Sequence, residues 1–249
     1  MAEKVKRYYI QITMGAVALA TALLRIFYIC RTPHWLRQHD VISFGAGEGQ
    51  APFIEYFYEG NLLLDFDPRL KWGFFQPPLH HMIAAKWMHL LVSLGTDYDV
   101  AGERVQILTL LYSLLSLWFA YLIFRFFRLE GKGLICAFAL AALHPGFTLM
   151  SGSINNDMLC IMFSVMLIYL ALIWYRQPTL GYTLLLALVM GAGMMTKLSA
   201  ALLAPALALL FIKAWIEGGR ERFFEYLRKY IAFLAVCAPW DSGLPSGII

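Results

Sequence analysis

Residues 105–127 read VQILTLLYSLLSLWFAYLIFRFF, an apolar run in which Arg125 is the single charged side chain. About 20 mostly apolar residues suffice for a helix to cross the hydrocarbon of a bilayer. The whole chain shares this character, since 60% of its 249 residues are hydrophobic, 14% are charged and the mean hydropathy is +0.64. Soluble domains carry roughly 25% charged residues. The sequence therefore predicts an all-α membrane protein, a polytopic helical bundle.

Other apolar stretches on both sides of this run predict further spans. The predicted spans are about 8–30, 105–127, 134–151, 158–175, 180–196 and 199–216, with the start of another at 230. Together they make residues 1–239 one transmembrane region. Its four cysteines lie in or beside apolar stretches without paired spacing, which predicts buried, unpaired thiols.

The tail at 240–249 loses this apolar character abruptly. The apolar run from Tyr230 to Pro239 is too short to cross the bilayer as a helix. We therefore expect the chain to be a C-terminally truncated fragment, and a frameshift would explain its atypical tail.

The distribution of basic residues predicts the orientation. If each span crosses once, one side of the membrane holds twelve Lys and Arg against five acids, whereas the loop 31–104 holds six against nine. Because cytoplasmic segments are rich in Lys and Arg, we predict a cytoplasmic N-terminus. The loop, Asp157 and Lys197 then lie on the outer face. No basic run resembles a nucleic-acid-binding patch, so no nucleic acid partner is expected.

The loop 31–104 contains too many aromatic residues for a solvated linker. Residues 51–59 predict a short helix. From Leu79 to Leu94, large apolar side chains recur at helical spacing, with His81 and His89 on another side. Such a helix would lie in the membrane interface. We therefore expect a structured cap containing interfacial helices on the outer bilayer surface.

Three ionisable residues at predicted span ends are candidates for chemistry. Asp40 follows the first span and is either a solvated loop carboxylate or an acid at headgroup depth. Asp157 is either the N-cap of a helix starting at Met158 or a functional acid, since acids at such depth often mark function. Lys197 either anchors its span at the interface or meets an anionic group such as a phosphate.

Two histidine motifs are weaker signals. His144-Pro145 predicts a proline kink with a buried, hydrogen-bonded histidine. His80-His81 follows a Pro-Pro pair that should start a helix. Adjacent histidines without a third ligand at known spacing indicate a metal only weakly.

The order of these motifs resembles that of GT-C superfamily glycosyltransferases, in the family 39-like branch of protein O-mannosyltransferases and aminoarabinose transferases. The matching pieces are RQHD at 37–40, QPPLHH at 76–81, HP at 144–145, SINND at 153–157 and TK at 196–197. Many relatives of the aminoarabinose branch carry Lys where this chain has Gln76. Many mannosyltransferases carry an acid pair where this chain has Asp40 followed by valine.

The resemblance implies a glycosyltransferase in the plasma membrane of a prokaryote, with a polyprenyl-phosphate sugar as donor and a glycan, lipid or protein hydroxyl as acceptor. Asp40 would be the general base of an inverting reaction on the outer face. The implied lipid-phosphate ligands are Arg37, Arg69, Lys71 and Lys197. A divalent ion, Mg or Mn, would be held by Asp157, His80 and His81.

Two other classes stay open on the sequence alone. A transporter or flippase usually places ionisable groups at mid-membrane or shows internal repeats, whereas here the candidate groups cluster on one face of the membrane and no repeat is seen. A non-catalytic membrane assembly protein would explain the spans, although not why Asp40, Asp157 and Lys197 share one side.

Overall fold

The computed structural model describes residues 2–34, 36, 43–62 and 64–241. Helices make up 76% of the chain, and no strand occurs within these ranges. The prediction of an all-α polytopic membrane protein is confirmed.

Eleven α-helices and three short 3-10 turns follow one another along the described residues. The helices are α1 (Ala2–Arg31), α2 (Gln50–Tyr58), α3 (Leu79–Ser93), α4 (Tyr98–Glu103), α5 (Gln106–Phe126), α6 (Gly131–Ala142), α7 (Pro145–Met150), α8 (Asp157–Arg176), α9 (Leu180–Met194), α10 (Ala204–Gly218) and α11 (Phe223–Asp241). The 3-10 turns are Pro68–Leu70, Leu198–Leu203 and Arg220–Arg222.

Four helical stretches of the described chain are long and apolar enough to cross a membrane. They are Tyr8–Arg31, Tyr98–Phe126, Asp157–Arg176 and Leu198–Gly218. Two further apolar helices, α6 and α9, are shorter. The predicted run of six full spans therefore corresponds to four long and two short apolar helices.

The helices enclose two main apolar cores, both touching α8. In the first, Ala84 of α3, Ala101 of α4 and Met158 of α8 are fully buried together. In the second, Trp174 of α8 packs against α9, α10 and α11, and its Nε1 donates to Thr183 Oγ1 at 2.8 Å. Because the first core mixes loop helices with α8, the loop is part of the bundle and not an appendage.

Hydrogen bonds connect several chain segments at one end of the helical bundle. We name this end the loop end, and it comprises residues 32–34, 76–79, 103–109, 143–157 and 195–199. There Thr109 Oγ1 donates to the Ser151 carbonyl at 3.0 Å, and the Leu79 amide donates to the Met195 carbonyl at 3.0 Å. At the opposite end the guanidinium carbon of Arg176 lies 3.7 Å from the centroid of the Phe126 ring.

The stretch 134–151, predicted as one span, contains two helices. α6 ends at Ala142 and α7 begins at Pro145, because proline has no amide hydrogen and its ring collides with the preceding turn. The freed Ala142 carbonyl accepts a hydrogen bond from Thr21 Oγ1 of α1 at 2.8 Å. His144 is exposed and not buried as predicted, because it caps α7: its Nδ1 accepts from the Phe147 amide at 3.4 Å.

α3 begins at Leu79, as its Pro-Pro signal predicts, but it buries a different face from the leucine stripe. His80, His81, Ala84, Ala85 and Met88 are its buried residues. The small alanines let α3 pack closely in the first core, which also contains Ala51 and Ile54 of α2. Leu90 and Leu94 of the predicted apolar face are exposed, at 50% and 73%.

The segment before α3 is fixed to residues 48–49. The Gly49 amide donates to the Trp72 carbonyl at 2.7 Å, and the Trp72 amide donates to Glu48 Oε2 at 3.2 Å. Gly73 has φ +87°, and a Cβ there would lie 2.8 Å from the Gly49 carbonyl carbon. Only glycine fits this close backbone contact without strain.

No disulfide joins the four cysteines within the described residues. Their burial differs from the prediction, since Cys30 and Cys136 are exposed. Both lie on helix surfaces of a membrane protein, where apolar residues need no protein cover.

Candidate active site at the loop end

An ion pair between Lys197 Nζ and Asp157 Oδ1 forms the centre of the site. Lys197 is extended (φ −161°, ψ 130°) where α9 gives way to the turn Leu198–Leu203. Asp157 is the first residue of α8. The side chains keep 31% and 28% of their surface exposed, so both can meet a ligand from the loop end.

Asp157 is not the helix cap that its position suggested. Asn156 occupies the N-cap position, and the Asp157 amide donates to Asn155 Oδ1 at 3.2 Å. Asn155 therefore provides the side-chain bond to the backbone at this helix start. This leaves the Asp157 carboxylate for Lys197.

Asn156 joins three segments of the chain at this point. Its Nδ2 donates to the Thr196 carbonyl at 2.7 Å and to Gln76 Oε1 at 3.3 Å. Asn156 and Thr196 are buried, whereas Gln76 is partly exposed beside them. The amide of Gln76 is thereby held next to the ion pair.

His80 and His81, in the first turn of α3, are fully buried. Burial lowers the pKa of His80 to about 4, and it lowers the pKa of His81 well below its usual value, with a further contribution from His80. His81 shares a hydrogen bond of 2.6 Å between its Nε2 and Gln50 Oε1. Both rings are therefore neutral near pH 7.

The described residues do not fit the expected metal ion. No group of three His, Cys, Asp or Glu side chains within them could hold one. Asp157 is paired with a lysine, and the histidines are enclosed in the protein core. The predicted Mg or Mn ion therefore has no site among the described residues.

Two of the predicted phosphate ligands have partners of their own. Arg69 binds Asp67 through Nε and Nη2 at 2.7–3.1 Å, and its hydrogen bonds lower the pKa of Asp67 to about 2. Lys71 Nζ lies over the rings of Phe66 and Phe74, 4.5 and 5.5 Å from their centroids.

Arg37 and Asp40 lie outside the described residues, but both flanks of their segment are fixed to α4. His34 Nδ1 and Glu103 Oε2 are 2.5 Å apart, and Gln106 Nε2 donates to Glu103 Oε1 at 3.1 Å. On the other flank the Phe44 ring packs against Gly102, where a Cβ would be 2.7 Å from Phe44 Cε2.

Glu103 was missed by the sequence reasoning. The available signal was its place as the last acid before a long apolar run, the mirror of Asp157 at the start of α8. Nine acids in one loop concealed it.

The family model for dolichyl-phosphate-mannose-protein mannosyltransferase matches residues 76–242, about two thirds of the chain. No curated protein matches the chain. The matched region contains Gln76, Asn156, Asp157 and Lys197, and so includes the whole described cluster. The chain therefore belongs to the dolichyl-phosphate-mannose-protein mannosyltransferase family and is a membrane glycosyltransferase of the GT-C type.

Proposed function

We propose that this protein transfers a sugar from a polyprenyl-phosphate donor to an acceptor hydroxyl, with inversion at the anomeric carbon. The observation that carries the proposal is the Asp157–Lys197 pair, placed at the loop end within the family-matched region. A lipid-linked sugar phosphate is a suitable donor because its tail lies in the bilayer while its sugar reaches that end. The acceptor is a glycan, lipid or protein on the outer face of a prokaryotic plasma membrane.

The reaction is a single displacement. The acceptor oxygen forms a bond to the anomeric carbon as the bond from that carbon to the phosphate oxygen breaks, and the electron pair leaves with the polyprenyl phosphate. Asp40 takes the acceptor proton as general base. Such proton transfer contributes roughly 10²–10⁴-fold to a rate.

Lys197 stabilises the charge that develops on the leaving phosphate. Asp157 holds the ammonium in place, since the two side chains are in contact before any ligand binds. Gln76, fixed by Asn156, provides a neutral amide at the position where many relatives of the aminoarabinose branch carry lysine. Its uncharged donor suits a neutral sugar hydroxyl.

The test supplies radiolabelled polyprenyl-phosphate sugars to membranes that contain the full chain. Asp40→Asn should reduce transfer by about 10²-fold or more, because the amide cannot take the proton. Asp99→Asn, on the exposed surface of the same loop, is the matched control and should transfer at the wild-type rate. Equal transfer rates for wild type and Asp40→Asn would show that Asp40 is not the general base. If the labelled donor is never consumed, the protein is not a transferase for these sugars.

A further inference from the structure

Arg25 is a charged residue inside the spanning part of α1, and its side chain is fully buried. Its Nη1 donates to the Thr21 carbonyl at 3.2 Å and to Thr21 Oγ1 at 2.5 Å. Nε and Nη2 have no hydrogen-bond partner within the described ranges, nor does a described Asp or Glu form an ion pair with this guanidinium.

This arrangement is costly for a purely structural arginine. A buried donor without a partner loses the hydrogen bonds it makes to water in the unfolded chain, and this loss is larger when the donor is charged. Ionisable residues within membrane spans pair with other groups or mark functional sites. The two free nitrogens of Arg25 therefore indicate a ligand with two acceptor oxygens.

Three other cations near the loop have partners among the described residues. Arg69 binds Asp67, Lys71 packs on aromatic rings, and Lys197 binds Asp157. The Lys197–Asp157 pair carries no net charge. Arg69 and Lys71 are thus engaged by residues of the loop, and Lys197 keeps its place opposite the leaving phosphate, whereas no described acid compensates the charge of Arg25.

Arg25 also borders the segment that leads to the site. Its guanidinium carbon lies 5.1 Å from the centroid of the Phe147 ring in α7. One turn further along α1, Tyr28 packs against Gly152 so closely that a Cβ there would be 2.9 Å from the tyrosine ring. Arg25 therefore faces the start of segment 143–156, and Lys197 faces its end.

We propose that Arg25 is an anion-binding residue whose Nε and Nη2 take two oxygens of a phosphate group. The guanidinium fork matches such oxygens in a bidentate manner. Because Phe147 covers the buried guanidinium, binding requires this ring to move aside. The phosphate is either the headgroup of a polyprenyl monophosphate or free inorganic phosphate; the former source rests on the proposed function.

The test measures binding to the purified full chain in nanodiscs, without any transfer reaction. The probes are polyprenyl monophosphate, inorganic phosphate and uncharged polyprenol. Arg25→Met keeps a long side chain without the charge and should weaken polyprenyl monophosphate binding at least tenfold while leaving polyprenol binding unchanged. Arg31→Met, at the exposed end of the same helix, is the control and should bind as wild type.

The remaining outcomes separate the possibilities. Arg25-dependent binding of inorganic phosphate with similar affinity would assign the site to the free anion. Wild-type affinity for both phosphates in Arg25→Met, or no binding by wild type, would overturn the proposal. If Arg25→Met fails to fold, Arg25→Lys replaces it, and a several-fold loss is then expected because lysine lacks the fork; an unchanged affinity would count against the site.

Binding and transfer can fail separately. Arg25-dependent binding without any sugar transfer would leave the anion site standing and remove the transferase proposal. Conversely, sugar transfer by wild type together with unchanged phosphate binding by Arg25→Met would support the transferase proposal and refute the anion site.

Discussion

At the scale of single residues, the site depends on charges that are rare in an apolar chain. Asp157 and Lys197 stand out in the sequence for this reason. Their contact could not be predicted, because 40 residues separate them and no local pattern links them. The burial of His80 and His81 was equally hidden, since it depends on which face of α3 packs inward.

The Asp157–Lys197 pair should show a measurable but modest coupling energy. Both side chains are about 30% exposed, so we expect about 0.5–1 kcal/mol from a double-mutant cycle of Asp157→Asn and Lys197→Met. Chemical unfolding in mixed micelles measures it. The comparison pair Lys213–Glu217, more exposed and 3.6 Å apart, should give a value near zero. A coupling no larger than that of the comparison pair would contradict the assigned geometry.

His80 should make the protein sensitive to acid. Its folded-state pKa of about 4 lies below the usual 6.5, so the unfolded chain binds the proton more readily. The stability that neutral His80 contributes is complete above pH 6.5 and is lost as the pH falls toward 4, by on the order of 3 kcal/mol.

Melting temperatures between pH 7 and pH 4 test this dependence. His80→Leu should reduce the fall of the melting temperature between pH 7 and pH 4, because leucine has no group that binds a proton. His89→Leu, which alters an exposed histidine of the same helix, should leave the curve as in wild type. A His80→Leu curve that matches wild type would disprove the role of His80.

At the scale of elements, helix positions followed from the sequence better than helix continuity did. The start of α3 at Leu79 could be read from Pro77-Pro78. The interruption between α6 and α7 could be read only as a kink, because the surrounding run is apolar throughout. What allows a full break is the Thr21 bond to the Ala142 carbonyl, a contact from a distant helix.

Gly73 should be a point of weakness in the segment that carries Gln76. Gly73→Ala adds a Cβ against the Gly49 backbone and strains a residue at φ +87°. Gly95→Ala is the matched control, because Gly95 has the same φ of +87° but open space around it. The control should cost about 1–2 kcal/mol from backbone strain alone.

Thermal unfolding and transfer assays compare the two variants. Gly73→Ala should be less stable than Gly95→Ala. It should also lose transfer activity, because displacing the segment before α3 moves Gln76 away from Asn156. Equal stability of the two alanine variants would show that the Gly49 contact does not constrain the loop.

At the scale of the whole molecule, composition predicted the class and the motif order predicted the family. The orientation rests on the charge count alone, since a bundle of helices looks the same with either end outside. The second core, built around Trp174 and α11, could not have been derived from the sequence because it joins helices that no motif connects.

Cysteine labelling tests the orientation. In a chain whose four native cysteines are replaced, Asp99→Cys at the loop side should react with an impermeant maleimide in intact cells. Arg128→Cys, between α5 and α6, should react only after the membrane is opened. The reverse pattern would place the N-terminus outside.

The bonds of Asn156 set an order of events during synthesis. Gln76 leaves the ribosome 80 residues before Asn156, and Thr196 follows Asn156 by another 40. Until Lys197, which follows α9, has been synthesised, the Asp157 carboxylate lacks its ion-pair partner. The ion pair between Asp157 and Lys197 can therefore form only after all of α9 has been synthesised.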